Sequence, residues 1–266
     1  KFYMLTSTTY LWLILLLLTI PLVALNDSLV RQRWPDKINT FDSLLRGNFR
    51  LRPVGRAVLQ GRCVGLGALG VTSILNAALV GYGGYTHRIF ITPLSGSVAF
   101  VWATFCAFGQ SLVLGFVALF TATLISLKFR NRYAAGLTGL VWLILLVSTS
   151  ERYSSLLNFA AFALVHAGVI VYLIYKRDLL TLITAHFSSL LCLAGAEMVF
   201  LGGRVYLLNG LAAFAILGAI AYASKRIADG EQSIPVVDYV PKYIEKLKKR
   251  ERIERDIEIA RELQFQ

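Results

Sequence analysis

What most constrains this chain is a succession of apolar stretches, each about the length of a membrane crossing. A helix that spans the ~30 Å hydrocarbon core of a bilayer needs about 20 mostly apolar residues. Seven stretches meet that demand: 8–26, 63–82, 96–126, 134–150, 156–175, 179–200 and 205–224. The first, TTYLWLILLLLTIPLVALN, is too long for a signal peptide, and NDSLVRQRW follows it without a small-residue cleavage site. It reads as a true span kinked at Pro21. The expectation is an all-α polytopic membrane protein with seven transmembrane helices over residues 1–230. Residues 231–266 then form a separate cytoplasmic helical segment. Hydrophobic residues make up 56% of the chain and charged residues 16%, which is far from a soluble globular average.

Charge gives the bundle a direction. The formal net charge is +12, and all of it lies before residue 231, because the tail balances eight Lys/Arg with eight Asp/Glu. With alternating spans, fifteen of the Lys/Arg in residues 1–230 fall on one side and four (Lys1, Arg88, Arg152 and Arg204) on the other. The positive-inside rule puts the N-terminus outside and the C-terminus in the cytoplasm, and anionic headgroups account for the excess better than nucleic acid does. The partner implied is the lipid bilayer, and the location a bacterial cytoplasmic membrane. Eight of the fifteen sit in a basic cytoplasmic loop, 27–62. Within it Phe41, Leu44, Leu45 and Phe49 recur at helical spacing, as expected of an amphipathic helix lying in the inner interface.

Ionisable groups at bilayer depth are costly and therefore functional candidates by default. His166 lies in the fifth span, and His186 and Glu197 in the sixth. The last two share a helix face but stand about 16 Å apart at 1.5 Å per residue, too far to hold one small ligand. His166 and His186 lie on consecutive antiparallel helices at comparable depth and are the candidate cofactor-binding pair. Two imidazoles can ligate a metal, pigment or haem, or simply hydrogen-bond between helices. No motif names a cofactor, no metal-ligand spacing is present, and no catalytic residue is assigned. Cys63, Cys106 and Cys192 are odd in number and lie in apolar stretches, so they read as buried packing residues. Gly65, Gly67 and Gly70 in GLGALG lie inside a span, where close helix packing explains them better than a dinucleotide loop.

Two stretches resemble known families. LISLKFRNRYAAGLTGLVWLILLVSTSE, followed by IYKRDLLTLITAHFSSLL, resembles the CAAX-protease and bacteriocin-processing family of glutamic intramembrane proteases. The Phe129–Arg130 pair and the His186 segment fall in that family's order. Its paired glutamates, however, fall on Ile125 and Ser126, its second-motif histidine near Ser150 or Glu151, and its last Asn on Leu190. An acid that activates water cannot be replaced by Ile or Ser, so the resemblance implies a non-catalytic bundle. The tail resembles a second family. RERIERDIEIARELQFQ is similar to the linker helix preceding sporulation and stress-regulator phosphatases of the protein phosphatase 2C-like type. That likeness implies a serine phosphatase domain beyond Gln266.

Within the tail, Ile253, Ile257, Ala260 and Gln264 trace a short seam, and Glu251–Arg255 and Glu258–Arg261 support a helix over 242–266 starting after Pro241. The turn around Ser233 to Pro235 separates it from the last span. The seam points to a homodimer through this helix or to contact with other membrane subunits. Two functions follow. One is a non-catalytic membrane sensor or anchor that signals through the tail to a phosphatase. The other is an accessory subunit of an energy-converting or photosynthetic membrane complex, with its histidines on pigment or haem.

Overall fold

A computed structural model of the protein describes residues 29–31, 33–79, 99–148, 156–230 and 249–255. The described residues are overwhelmingly helical and include no strand. The chain divides into two compact units, Lys1–Asp229 and Gly230–Gln266. In the first, a 3-10 turn at Pro35–Lys37 leads into a short helix α1 (Asn39–Leu45). Six longer helices follow among the described residues: α2 (Arg52–Leu79), α3 (Ala99–Lys128), α4 (Asn131–Ser148), α5 (Leu156–Lys176), α6 (Leu179–Leu201) and α7 (Arg204–Asp229). In the second unit residues 249–255 are helical. The rest of the expected tail helix and the turn before it lie outside the described residues, as do the first expected span and residues 80–98.

Among the described residues, four helices are long and apolar enough to cross a membrane: Arg52–Leu75, Ala99–Lys128, Leu179–Leu201 and Arg204–Asp229. Tyr133–Leu145 and Ala160–Lys176 are shorter apolar helices. Their outer faces carry large exposed apolar side chains, such as Trp102, Phe105 and Phe108 on α3 and Val205, Leu208 and Leu211 on α7. An apolar exterior of this extent suits lipid and not water. Buried hydroxyls turn inward on their own helices. Thr72, Ser111, Thr123 and Thr138 each donate to the carbonyl four residues back. In lipid, where no water can satisfy them, polar groups must find such internal partners.

Consecutive helices are joined by two residues at three places: Phe129–Arg130, Arg177–Asp178 and Gly202–Gly203. Turns this short make antiparallel neighbours. Gly202 and Gly203 both have positive φ (70° and 83°), which glycine adopts without a Cβ penalty and other residues avoid. At the other end of α6, Asp178 caps the helix by accepting the Thr181 N–H at 2.8 Å. The central element is α6, which packs against α2, α7 and α3. Between α2 and α6 the backbones come unusually close. A Cβ on Gly61 or Gly65 would lie 2.4 Å from the Thr181 carbonyl oxygen or 2.0 Å from that of Ala185.

The structure corrects three expectations. The basic segment 27–62 is not a loop throughout, since its last eleven residues are the first three turns of α2. Pro53 sits in the first turn, where its missing N–H costs nothing. Val54, Gly55, Ala57 and Gly61 are buried while Arg52 and Arg56 project outward, and the arginines masked that periodicity. The expected amphipathic helix is only the seven residues of α1. Phe41 packs into the core against Phe116, whereas Leu45 and Phe49 stay exposed and Phe49 lies beyond the helix end. Among the cysteines, Cys106 is buried, Cys192 half-buried, and Cys63 exposed on a face of α2 turned away from its neighbours.

Candidate functional site

His166 lies ten residues before the end of α5, and His186 eight residues after Asp178, the cap of α6. At 1.5 Å per residue both stand about 12–15 Å along their helices from the α5–α6 turn. Both line one partly open cavity of about 90 Å³ between α2, α3, α5 and α6, together with Ser189, Gly65 and a mainly aliphatic wall that includes Leu114 and Leu182. The two histidines singled out in the sequence are thus brought to one site. Glu197, a further three turns up α6, does not line it.

The hydrogen bonds define what this cavity offers. His166 Nδ1 lies 3.0 Å from the Phe162 carbonyl oxygen, and its ring stacks on that of Phe162. A carbonyl only accepts, so Nδ1 carries the proton and Nε2 keeps a lone pair. Among the described residues, neither that Nε2 nor either nitrogen of His186 has a hydrogen-bond partner. Ser189 donates its single proton toward two carbonyls, Gly65 O at 2.8 Å and Ala185 O at 3.0 Å. The absence of a side chain at Gly65 permits the first of these bonds. Ser189 therefore faces the cavity with acceptor capacity only. Among the described residues, no carboxylate or thiol lines the cavity and no group of three or more metal-ligating side chains occurs.

Below this cavity the α5–α6 turn is held by the segment that precedes α1. Lys37 Nζ donates to the Tyr175 carbonyl at 3.0 Å and to the Arg177 carbonyl, the free carbonyls at the C-terminal end of α5, where a cation also meets the negative end of the helix dipole. Burial pushes the Lys37 ammonium below its usual value, and the nearby Asp178 carboxylate opposes that shift. Thr40 donates to Asp178 at 2.7 Å, and Arg31 grips Asp42 with two bonds of 2.6 and 3.1 Å. Trp34 adds an edge-on contact with the Tyr175 ring. These residues were not visible as a site in the sequence. Lys37, Thr40 and Asp178 are ordinary loop residues until the fold brings positions 138 apart together.

Arg62, expected in a cytoplasmic loop, is on α2 with 6% of its surface exposed, and its Nη1 is buried with no hydrogen-bond partner among the described residues. Ile125 and Ser126, which stand where the glutamic proteases carry their glutamates, lie near the end of α3, and the Ser126 hydroxyl donates to Thr123 O at 2.8 Å. Comparison of the chain with protein-family models, curated proteins and solved structures finds no match.

Proposed function

We propose that this chain is a non-catalytic membrane sensor or anchor module. In this reading seven spans, the first within residues 8–26, set the N-terminus outside a bacterial cytoplasmic membrane and the tail within. The bundle resembles a glutamic intramembrane protease without its acids, and the tail helix carries the bundle's state to a serine phosphatase domain after residue 266. One observation carries the proposal. Two histidines from successive helices share a cavity, and the turn joining those helices is clamped by the Lys37–Asp178 cluster. A ligand that fits one arrangement of α5 and α6 better than another shifts that turn, and with it the cytoplasmic face. The cavity also speaks for a small ligand, because about 90 Å³ is well below the roughly 300–1,000 Å³ of sites for drug-sized molecules, let alone haem or a pigment.

The test has two arms. The reading frame is expected to continue past Gln266 into a metal-dependent phosphatase fold, whose activity in the membrane changes when His186→Leu alters the cavity. A stop codon directly after Gln266, or a phosphatase indifferent to the cavity, overturns the proposal. Co-purification in a large energy-converting complex would put the accessory-subunit reading in its place.

A further inference from the structure

The polar lining of the histidine cavity is unbalanced, and the imbalance selects a class of ligand. His166 Nε2 offers a lone pair because Nδ1–H is committed to the Phe162 carbonyl. Ser189 offers lone pairs because its proton is committed to Gly65 and Ala185. A neutral His186 offers one donor and one acceptor. The vacant positions are therefore mostly acceptors, in a wall that apart from Phe162 is otherwise aliphatic. An acceptor-lined pocket calls for a donor. A divalent cation would also suit lone pairs, but no carboxylate or thiolate among the described lining residues neutralises its charge, and an uncompensated charge in such surroundings is costly.

We infer that the His166–His186 cavity binds a small neutral hydrogen-bond donor of the aliphatic alcohol type. Its hydroxyl donates to His166 Nε2, its oxygen accepts from the His186 N–H, and its short apolar body packs on the aliphatic wall. The volume sets the size. About 90 Å³ is less than the 150 Å³ apolar cavity that admits benzene, which suits a molecule of a few heavy atoms. This inference rests on reading the cavity as the sensor's ligand site, but it concerns binding alone and is tested without any downstream domain.

The experiment uses the 266-residue chain in lipid nanodiscs with 15N-labelled histidine. The chain has three histidines, so its imidazole spectrum is simple enough to read directly. The probes are 1-propanol and ethyl methyl ether, which match in heavy atoms but differ in the donor. Propanol is expected to move the unprotonated nitrogen of His166 upfield in a saturable way. The ether, able only to accept from His186, should bind at least about tenfold more weakly, the worth of about 1.4 kcal/mol for one buried hydrogen bond. Assignment comes from His166→Phe and His186→Phe, and the probe comparison needs no variant to fold. Equal affinity for both probes, or no saturable shift with either, overturns the inference. So does zinc that perturbs both histidines at micromolar concentration, which would mark a metal site instead. Propanol binding that leaves an attached phosphatase unchanged supports the inference and overturns the sensor reading alone.

Discussion

Arg62 is a charged side chain held in a costly position. It stands ten residues into α2, about 15 Å along the helix from Arg52. It is 6% exposed, and its Nη1 is buried without a hydrogen-bond partner among the described residues. A guanidinium left in that state destabilises the fold, so Arg62→Met, which keeps the length and removes the charge, should stabilise by about 1–3 kcal/mol. A thermal unfolding scan in nanodiscs reads this as a raised midpoint. A lowered midpoint would show that the charge is compensated. Arg62 and the histidines differ in how far the sequence betrayed them. His166 and His186 stood out because titratable residues are rare inside apolar runs. Arg62 was hidden among seven other basic residues and passed for one more loop charge. Ser189 gave no signal either, since a serine in an apolar helix usually bonds back to its own turn. Only the approach of Gly65 makes it part of the site.

Among the elements, the contact between α2 and α6 is the one that small residues decide. GLGALG reads in sequence as three glycines for close packing, and the structure divides them. A Cβ on Gly65 would meet the Ala185 carbonyl oxygen at 2.0 Å, whereas Gly67 and Gly70 have nothing within 4 Å. Gly65→Ala must push α2 from α6 and break the Ser189 bond, at a cost of about 1–3 kcal/mol. Gly67→Ala gains helix propensity of up to ~1 kcal/mol and should be neutral or stabilising. Equal changes in the melting of the two variants would contradict this packing. The ends of α3 to α7 were legible to within a few residues, because charged or glycine pairs interrupt the apolar runs there. The start of α2 was not, because its first three turns bury small residues between outward arginines, and mean apolarity over such a stretch is low. Similarly, α1 ends earlier than the Phe41-to-Phe49 spacing suggested, at a Gly47 of φ 80°.

For the whole molecule, the succession of apolar helices was plain in the sequence, whereas which helix lies at the centre was not. Apolar content is nearly even along the chain, and only packing shows that α6 is the most enclosed. Direction across the membrane rests on charge and can be argued again from the helices. The last turns of α3, α5 and α7 hold Lys128, Lys176 and Arg226, and Arg52 and Arg56 project from the first turns of α2. Gly55 of α2 lies against Ala228 near the end of α7, Gly115 of α3 lies against Leu179 at the start of α6, and α5 ends in the turn before α6, so these basic ends fall on the same face of the bundle. That face also carries the Lys37–Asp178 cluster. Positive residues near span ends are retained on the cytoplasmic side, which is the ground for the proposed orientation with this face inside. The check is accessibility in intact cells, in a background with the three native cysteines replaced by alanine. A cysteine at Arg88 should react with a membrane-impermeant maleimide, and cysteines at Arg50 and Lys128 should react only after the membrane is opened. If Arg50→Cys and Lys128→Cys label from outside while Arg88→Cys does not, the bundle is inverted and the tail cannot reach a cytoplasmic phosphatase. If Arg50 and Lys128 label from opposite sides, the number of crossings between them is odd, and the alternation of α2 and α3 across the undescribed residues 80–98 has been miscounted.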